Sequence, residues 1–171
     1  MKIKLPLVLA TSIVAFSVFY ITTSQGLNAS PMVTVTSIEG EQFDLARTSG
    51  KARLVTFYST DCPICKRDIP DLNHVRQRFE KDQLDVIAVA MPYDQADDVE
   101  RMHESGSMNY PLAHDDDGQI SAAFPNVRFT PTTFLIDNNG KIVWRHVGRL
   151  RRANVNQRIE SLLEPEILAK K

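Results

Sequence analysis

Residues 53–58 (RLVTFY) are β-branched and aromatic with hardly a polar break, and three residues further on the chain reads Cys62-Pro63-Ile64-Cys65. Beyond it, Ile69, Leu72, Val75 and Phe79 recur at helical spacing. The first pattern is that of a strand covered on both faces, and the second is that of a helix resting on a core. A buried strand handing over to a helix whose first turn carries two thiols requires a layered α/β architecture.

The rest of the chain fits that demand. Residues 32–37 read as a strand that turns at Gly40 and returns over 42–45. Residues 84–91 (LDVIAVAM) form a second buried strand, and Ala96, Val99 and Met102 mark a short surface helix. Residues 111–114 suit a brief strand, and Asp117-Gly118 opens a helix ending near Phe124-Pro125. Residues 132–136 and 141–147 are strands joined across Asn138-Asn139-Gly140, where Asn-Gly is a strong hairpin signal. Val155, Ile159, Leu162 and Leu163 give a closing amphipathic helix. The alternation predicts a mixed central sheet with helices on both faces. Phe134 and Trp144 are expected to fill its core, and no repeat or low-complexity segment interrupts the order.

Position in the helix gives the two cysteines different roles. At a helix start, unpaired backbone N–H groups and the positive end of the dipole stabilise a thiolate, which assigns Cys62 as the attacking sulfur. Pro63 suits the first helical position, where a missing N–H costs nothing. Cys65 lies four residues before Ile69 on the apolar stripe, so it is the less exposed sulfur that resolves the mixed disulfide. Half a zinc site is the competing reading, but there is no second Cys pair, and His74, His103, His114 and His146 show no ligand spacing. A purely structural disulfide closing so short a loop contributes little through chain entropy. Neither a metal nor another cofactor is called for. The stretch His114-Asp115-Asp116-Asp117-Gly118 lacks the Glu that a calcium loop needs and reads as a loop with a helix cap.

Two cysteines among 171 residues cannot staple a fold, and 20 basic against 21 acidic side chains leave no surplus for neutralising phosphates. Nucleic acid is therefore excluded as a partner, and Lys66, Arg67, Arg149, Arg151 and Arg152 read as solvated surface. The amino end is different. After Lys2 and Lys4 no charge occurs until Glu39, and residues 5–21 are largely apolar with no polar stripe. That run sits at the lower limit for crossing a bilayer and is long for a signal-peptide core. Lysines on its amino side predict a cytoplasmic N-terminus and an exported remainder. Residues 1–29 are read as a signal-anchor and linker in preference to a cleaved signal peptide, with residues 30–171 as the globular domain.

Taken together, 57–65 (FYSTDCPIC) with Pro70, 130–137 (TPTTFLID), 140–143 (GKIV) and His146-Val147-Gly148 resemble the thioredoxin superfamily. More narrowly they resemble the membrane-anchored TlpA/ResA-type disulfide reductases of the bacterial cell envelope. The resemblance implies a thioredoxin-like fold and a redox-active disulfide between Cys62 and Cys65. It implies that Pro131 is a cis-proline facing that pair, and that the backbone of Thr130 pairs with an extended substrate segment. It makes Asp68 a proton-transfer group for the resolving thiol, where the residues alone allow a first-turn acid complementing the helix dipole. It also implies a kink at Pro70.

The chain departs from the family pattern in places. Thr56 stands where thioredoxin has a buried Asp, and Tyr58 and Asp61 replace tryptophans common before the first cysteine. The peroxidase signature P-x-x-x-T-x-x-C would need Pro and Thr where the chain has Val55 and Ser59. The expectation is a monomeric, anchored, periplasmic thiol-disulfide oxidoreductase that reduces partner proteins. Its implied clients are envelope proteins such as apocytochrome c or copper-site assembly proteins, and a membrane thiol donor supplies its electrons. The alternatives are a disulfide oxidant or isomerase, and a copper metallochaperone using Cys62, Cys65 and His146.

Overall fold

The structure, a computed structural model, describes residues 31–169. The apolar run at 5–21 lies outside the described residues, and none of the described helices is long and apolar enough to cross a membrane. The chain runs β1 (Thr34–Thr36), β2 (Gln42–Asp44), β3 (Ala52–Tyr58), α1 (Pro63–Arg78), β4 (Leu84–Ala90), α2 (Ala96–Glu104), β5 (Leu112–His114), α3 (Gln119–Ala122), β6 (Thr132–Ile136), β7 (Ile142–Val147) and α4 (Arg152–Ala169). The first two strands form an antiparallel hairpin, and the others form a five-stranded sheet in the order β5-β4-β3-β6-β7. β3 pairs parallel with β4 and antiparallel with β6, so the sheet is mixed, as its alternating pattern predicts.

All seven residues of β3 are buried, which is why its sequence lacks polar alternation. The period of two survives in what each side chain touches. Leu54 and Tyr58 join a cluster with Cys65, Leu72 and Val75 of α1 and Val155, Ile159 and Leu163 of α4. Val55 and Phe57 join Val35, Phe43 and Leu45 of the hairpin region with Ile120, Phe124 and Phe134. One face is thus covered by full helices. The other is closed by the β1–β2 hairpin and the single turn of α3, because Pro125 stops any extension of that helix. Trp144 packs only partly buried against the helical cluster instead of filling it.

The β6–β7 hairpin closes as its Asn-Gly signal requires. Asp137 Oδ1 accepts from the N–H of Asn139 and Lys141, and Gly140 takes φ +81°. A Cβ at Gly140 would stand 2.5 Å from Ala46 O, so only glycine fits there.

Candidate functional site

The first turn of α1 is built around sulfur. Cys62 is its N-cap, and Cys62 Sγ accepts from the Cys65 N–H at 3.1 Å, one of the donors a helix start leaves unpaired. Pro63 occupies the start of the helix, and α1 continues through Pro70 to Arg78. The two sulfurs form a disulfide, S–S 2.19 Å with Cα–Cα 5.2 Å. Cys65 is 3% exposed and sits within the helical cluster, whereas Cys62 is only partly buried. An incoming thiolate or disulfide therefore reaches Cys62 first.

Opposite the pair, the Thr130–Pro131 peptide bond is cis, and Thr130 O lies 3.6 Å from Cys62 Sγ. The Gly148 N–H donates to Pro131 O at 2.8 Å and ties this loop to the end of β7. Ile64 and Phe129, next in sequence to Cys65 and Thr130, expose 41% and 67% of their surface, giving the site an apolar margin.

Asp68 does not point into water as a helix-dipole residue would. It is 1% exposed, and Oδ2 accepts from the Leu150 N–H at 3.0 Å while Oδ1 has no hydrogen-bond partner. Burial raises its carboxyl above the ordinary carboxylate value, against the lowering effects of the Leu150 hydrogen bond and then of Arg149. The Arg149 guanidinium stands 3.9 Å away and is largely in solvent, so its screened charge does not offset the desolvation. Asp68 and Cys65 line one cavity of about 10 Å³ together with Thr56, Tyr58, Tyr110 and Pro131. At the position where thioredoxin carries an acid, Thr56 Oγ1 is hydrogen-bonded to Thr133 Oγ1 at 3.0 Å across the β3–β6 register.

His146 is not gathered with the cysteines. Its Nε2 lies 3.0 Å from Arg149 O, its ring stacks on Trp144, and among the described residues no three His, Cys, Asp or Glu side chains are placed to hold a metal ion. His114-Asp115 likewise forms a cap, with the Asp115 carboxylate accepting from the N–H groups of Ile120 and Ser121.

Sequence reasoning missed Asp94. Its Oδ1 accepts from Ser59 Oγ at 2.7 Å, Thr60 N at 3.2 Å and Thr60 Oγ1 at 3.0 Å, and its Oδ2 accepts from Met91 N at 3.2 Å. This buried carboxylate fastens the segment entering Cys62 to the end of β4. No local pattern marks it, because two of its partners lie 34 and 35 residues away.

Residues 28–145 match the AhpC/TSA family. The thiol-disulfide oxidoreductase ResA of Geobacillus thermodenitrificans is 28% identical over 135 residues, 79% of this chain and 76% of its own. ResA of Halalkalibacterium halodurans is 29% identical over 129 residues, 75% and 72% of the two chains. Among solved structures, a thiol:disulfide interchange protein of the thioredoxin family from Chlorobium tepidum superposes with TM-score 0.70 at 24% identity, over 80% of this chain and 97% of its own. StoA from Bacillus subtilis superposes with TM-score 0.65 at 19% identity, over 77% and 97%. Both structures share the thioredoxin-like fold.

Proposed function

This chain belongs to the AhpC/TSA family and is a thiol-disulfide oxidoreductase of the ResA/DsbE type, and from that premise we propose that it reduces disulfides in partner proteins outside the cytoplasm. The observation that carries the reading is the pairing of an accessible Cys62 with a buried Cys65 beside the Thr130–Pro131 loop. The peroxidase signature does not compete, since Val55 and Ser59 break it and the Ser59 hydroxyl is committed to Asp94.

In the reduced protein, the Cys62 thiolate attacks a client disulfide. A bond forms between Cys62 and one client sulfur, and the other client sulfur leaves as a thiolate and takes a proton from solvent. The α1 N-terminus favours the attacking anion. The backbone of Thr130 pairs with the extended client segment, and Ile64 and Phe129 give that segment an apolar margin. Cys65 then attacks Cys62 Sγ, its proton passes toward Asp68, and the second client thiolate departs. Two electrons have moved to the client, whose two thiolates take their protons from solvent. Asp68 holds the Cys65 proton until it is released, and the Cys62–Cys65 disulfide remains to be reduced by an outside dithiol.

Residues 5–21 anchor the domain at the extracytoplasmic face, where the electrons come from a membrane thiol donor. Cysteine pairs of apocytochrome c or of copper-site assembly proteins are the clients. The deciding experiment replaces each cysteine in turn. Cys65→Ala is expected to accumulate mixed disulfides through Cys62, and Cys62→Ala almost none; equal trapping by both removes the assigned roles. Equilibration with glutathione buffers fixes the direction, because a protein of lower reduction potential than glutathione stays oxidised even where the glutathione pool is largely reduced. An impermeant thiol reagent labels the domain on intact cells if it is exported, and only in lysates if it is not.

A further inference from the structure

Two buried polar atoms without a hydrogen bond belong to residues that line the same small cavity. Tyr58 Oη and Asp68 Oδ1 have no hydrogen bond, and both residues line the cavity of about 10 Å³ that Cys65 closes. A buried hydroxyl or carboxylate oxygen left without a hydrogen bond is destabilising. A cavity of this size has room for about one water molecule, and an ordered water needs two to four polar partners of the kind gathered here.

We propose that Tyr58 is a positioning residue for proton transfer from the resolving thiol: its hydroxyl and the Asp68 carboxylate hold one water molecule against Cys65. The proposal rests on the reading of Asp68 as proton acceptor. The water accepts from Tyr58 O–H and from Cys65 S–H and donates to Asp68 Oδ1. As Cys65 attacks Cys62 Sγ, the S–H bond breaks and its proton goes to the water, which passes a proton to Asp68. The Cys62–Cys65 bond forms, the Cys62–client bond breaks, and the client sulfur leaves with the electron pair. Tyr58 keeps its own proton, since burial holds its phenol well above the ordinary value. Its donation polarises the water and favours the ionised, accepting form of Asp68.

The groups that bear on Asp68 come from several elements: Tyr58 on β3, Tyr110 before β5, His146 on β7, Arg149 beyond it and Asp71 on α1. Only Tyr58 has a buried hydroxyl without a partner, so Tyr58→Phe removes one oxygen and leaves the packing intact.

The test uses the full-length reduced chain. Stopped-flow resolution of a Cys62 mixed disulfide with a chromogenic thiol is followed from pH 5 to 9 in wild type, Tyr58→Phe, Asp68→Asn and the double variant. Carbon-13 NMR follows the Asp68 carboxyl in parallel. Tyr58→Phe is expected to slow resolution about 3- to 10-fold near neutral pH, the worth of one ordinary hydrogen bond. It is also expected to move the pH midpoint and the Asp68 titration upward. In the Asp68→Asn background the same change is expected to cost nothing more. A Tyr58→Phe profile superimposed on wild type, or an equal further loss in the double variant, overturns the proposal for Tyr58. An Asp68→Asn profile superimposed on wild type overturns the underlying reading instead.

Discussion

The two faces of the central sheet are packed from the same strands to different ends. On the hairpin face, Phe57, Phe124 and Phe134 meet with ring centroids 4.8 to 6.0 Å apart. The unpartnered polar atom beside them, Arg145 Nε, belongs to a guanidinium lying over the Phe134 ring with no thiol near it in the cluster. On the helical face, Tyr58 and Asp68 each keep a polar atom unpaired beside the redox disulfide. Close-packed aromatic contacts stabilise without directing chemistry. Unpaired polar groups destabilise, and they persist where a reaction needs a proton acceptor out of water. Stability and reactivity are thus divided across a single layer of strands.

Phe134→Ala tests that division most severely. Phe134 is fully buried among the aromatic rings, so its truncation is expected to lower unfolding free energy by about 3–5 kcal/mol in denaturant titrations, with disulfide exchange by the folded fraction unchanged. A loss under about 1 kcal/mol would erase the contrast. Gly140→Ala comes next, at about 1–3 kcal/mol, because the new methyl meets Ala46 O in a left-handed conformation.

Asp68→Asn is expected to act in the opposite direction on the helical face, raising stability at pH 7 by about 1 kcal/mol while slowing exchange. The fold raises the Asp68 carboxyl above its unfolded value of 3.8, so the native state binds more protons between the two values. Wild type therefore loses stability as pH rises from 3.8 through the raised value, and the variant does not. Thermal unfolding from pH 3 to 8 should show the two curves meeting at the acid end; parallel curves would contradict the assignment. The smallest effect is on Glu160→Gln, which breaks the half-exposed Arg78–Glu160 pair between α1 and α4. It should cost about 0.2–0.5 kcal/mol and vanish in high salt, leaving apolar burial as the link between those helices.

What the sequence disclosed follows from how local each determinant is. The buried strand, the Cys62–Cys65 turn and the Asn139-Gly140 hairpin are written in consecutive residues, and they fold as read. Asp68 was legible as a candidate, but its burial depends on Leu150, 82 positions later. Asp94 and the Tyr58 hydroxyl left no trace, since an acid after a strand and an aromatic at its end are ordinary in any chain. The helix α3 ends at Ala122, two residues before the end expected near Phe124-Pro125.

The Asp94 carboxylate holds the loop that leads into Cys62. With Ser59, Thr60 and Met91 all anchored to it, the approach to Cys62 is preorganised at folding, before any partner arrives. In the proposed reaction the ordering entropy of that loop would be absent from the encounter, and only the client's own segment would need to be immobilised on docking. On the proposed function, discrimination among partners would then fall on how readily each presents an extended cysteine-bearing stretch, which would favour a loosely folded precursor over a finished, compact protein.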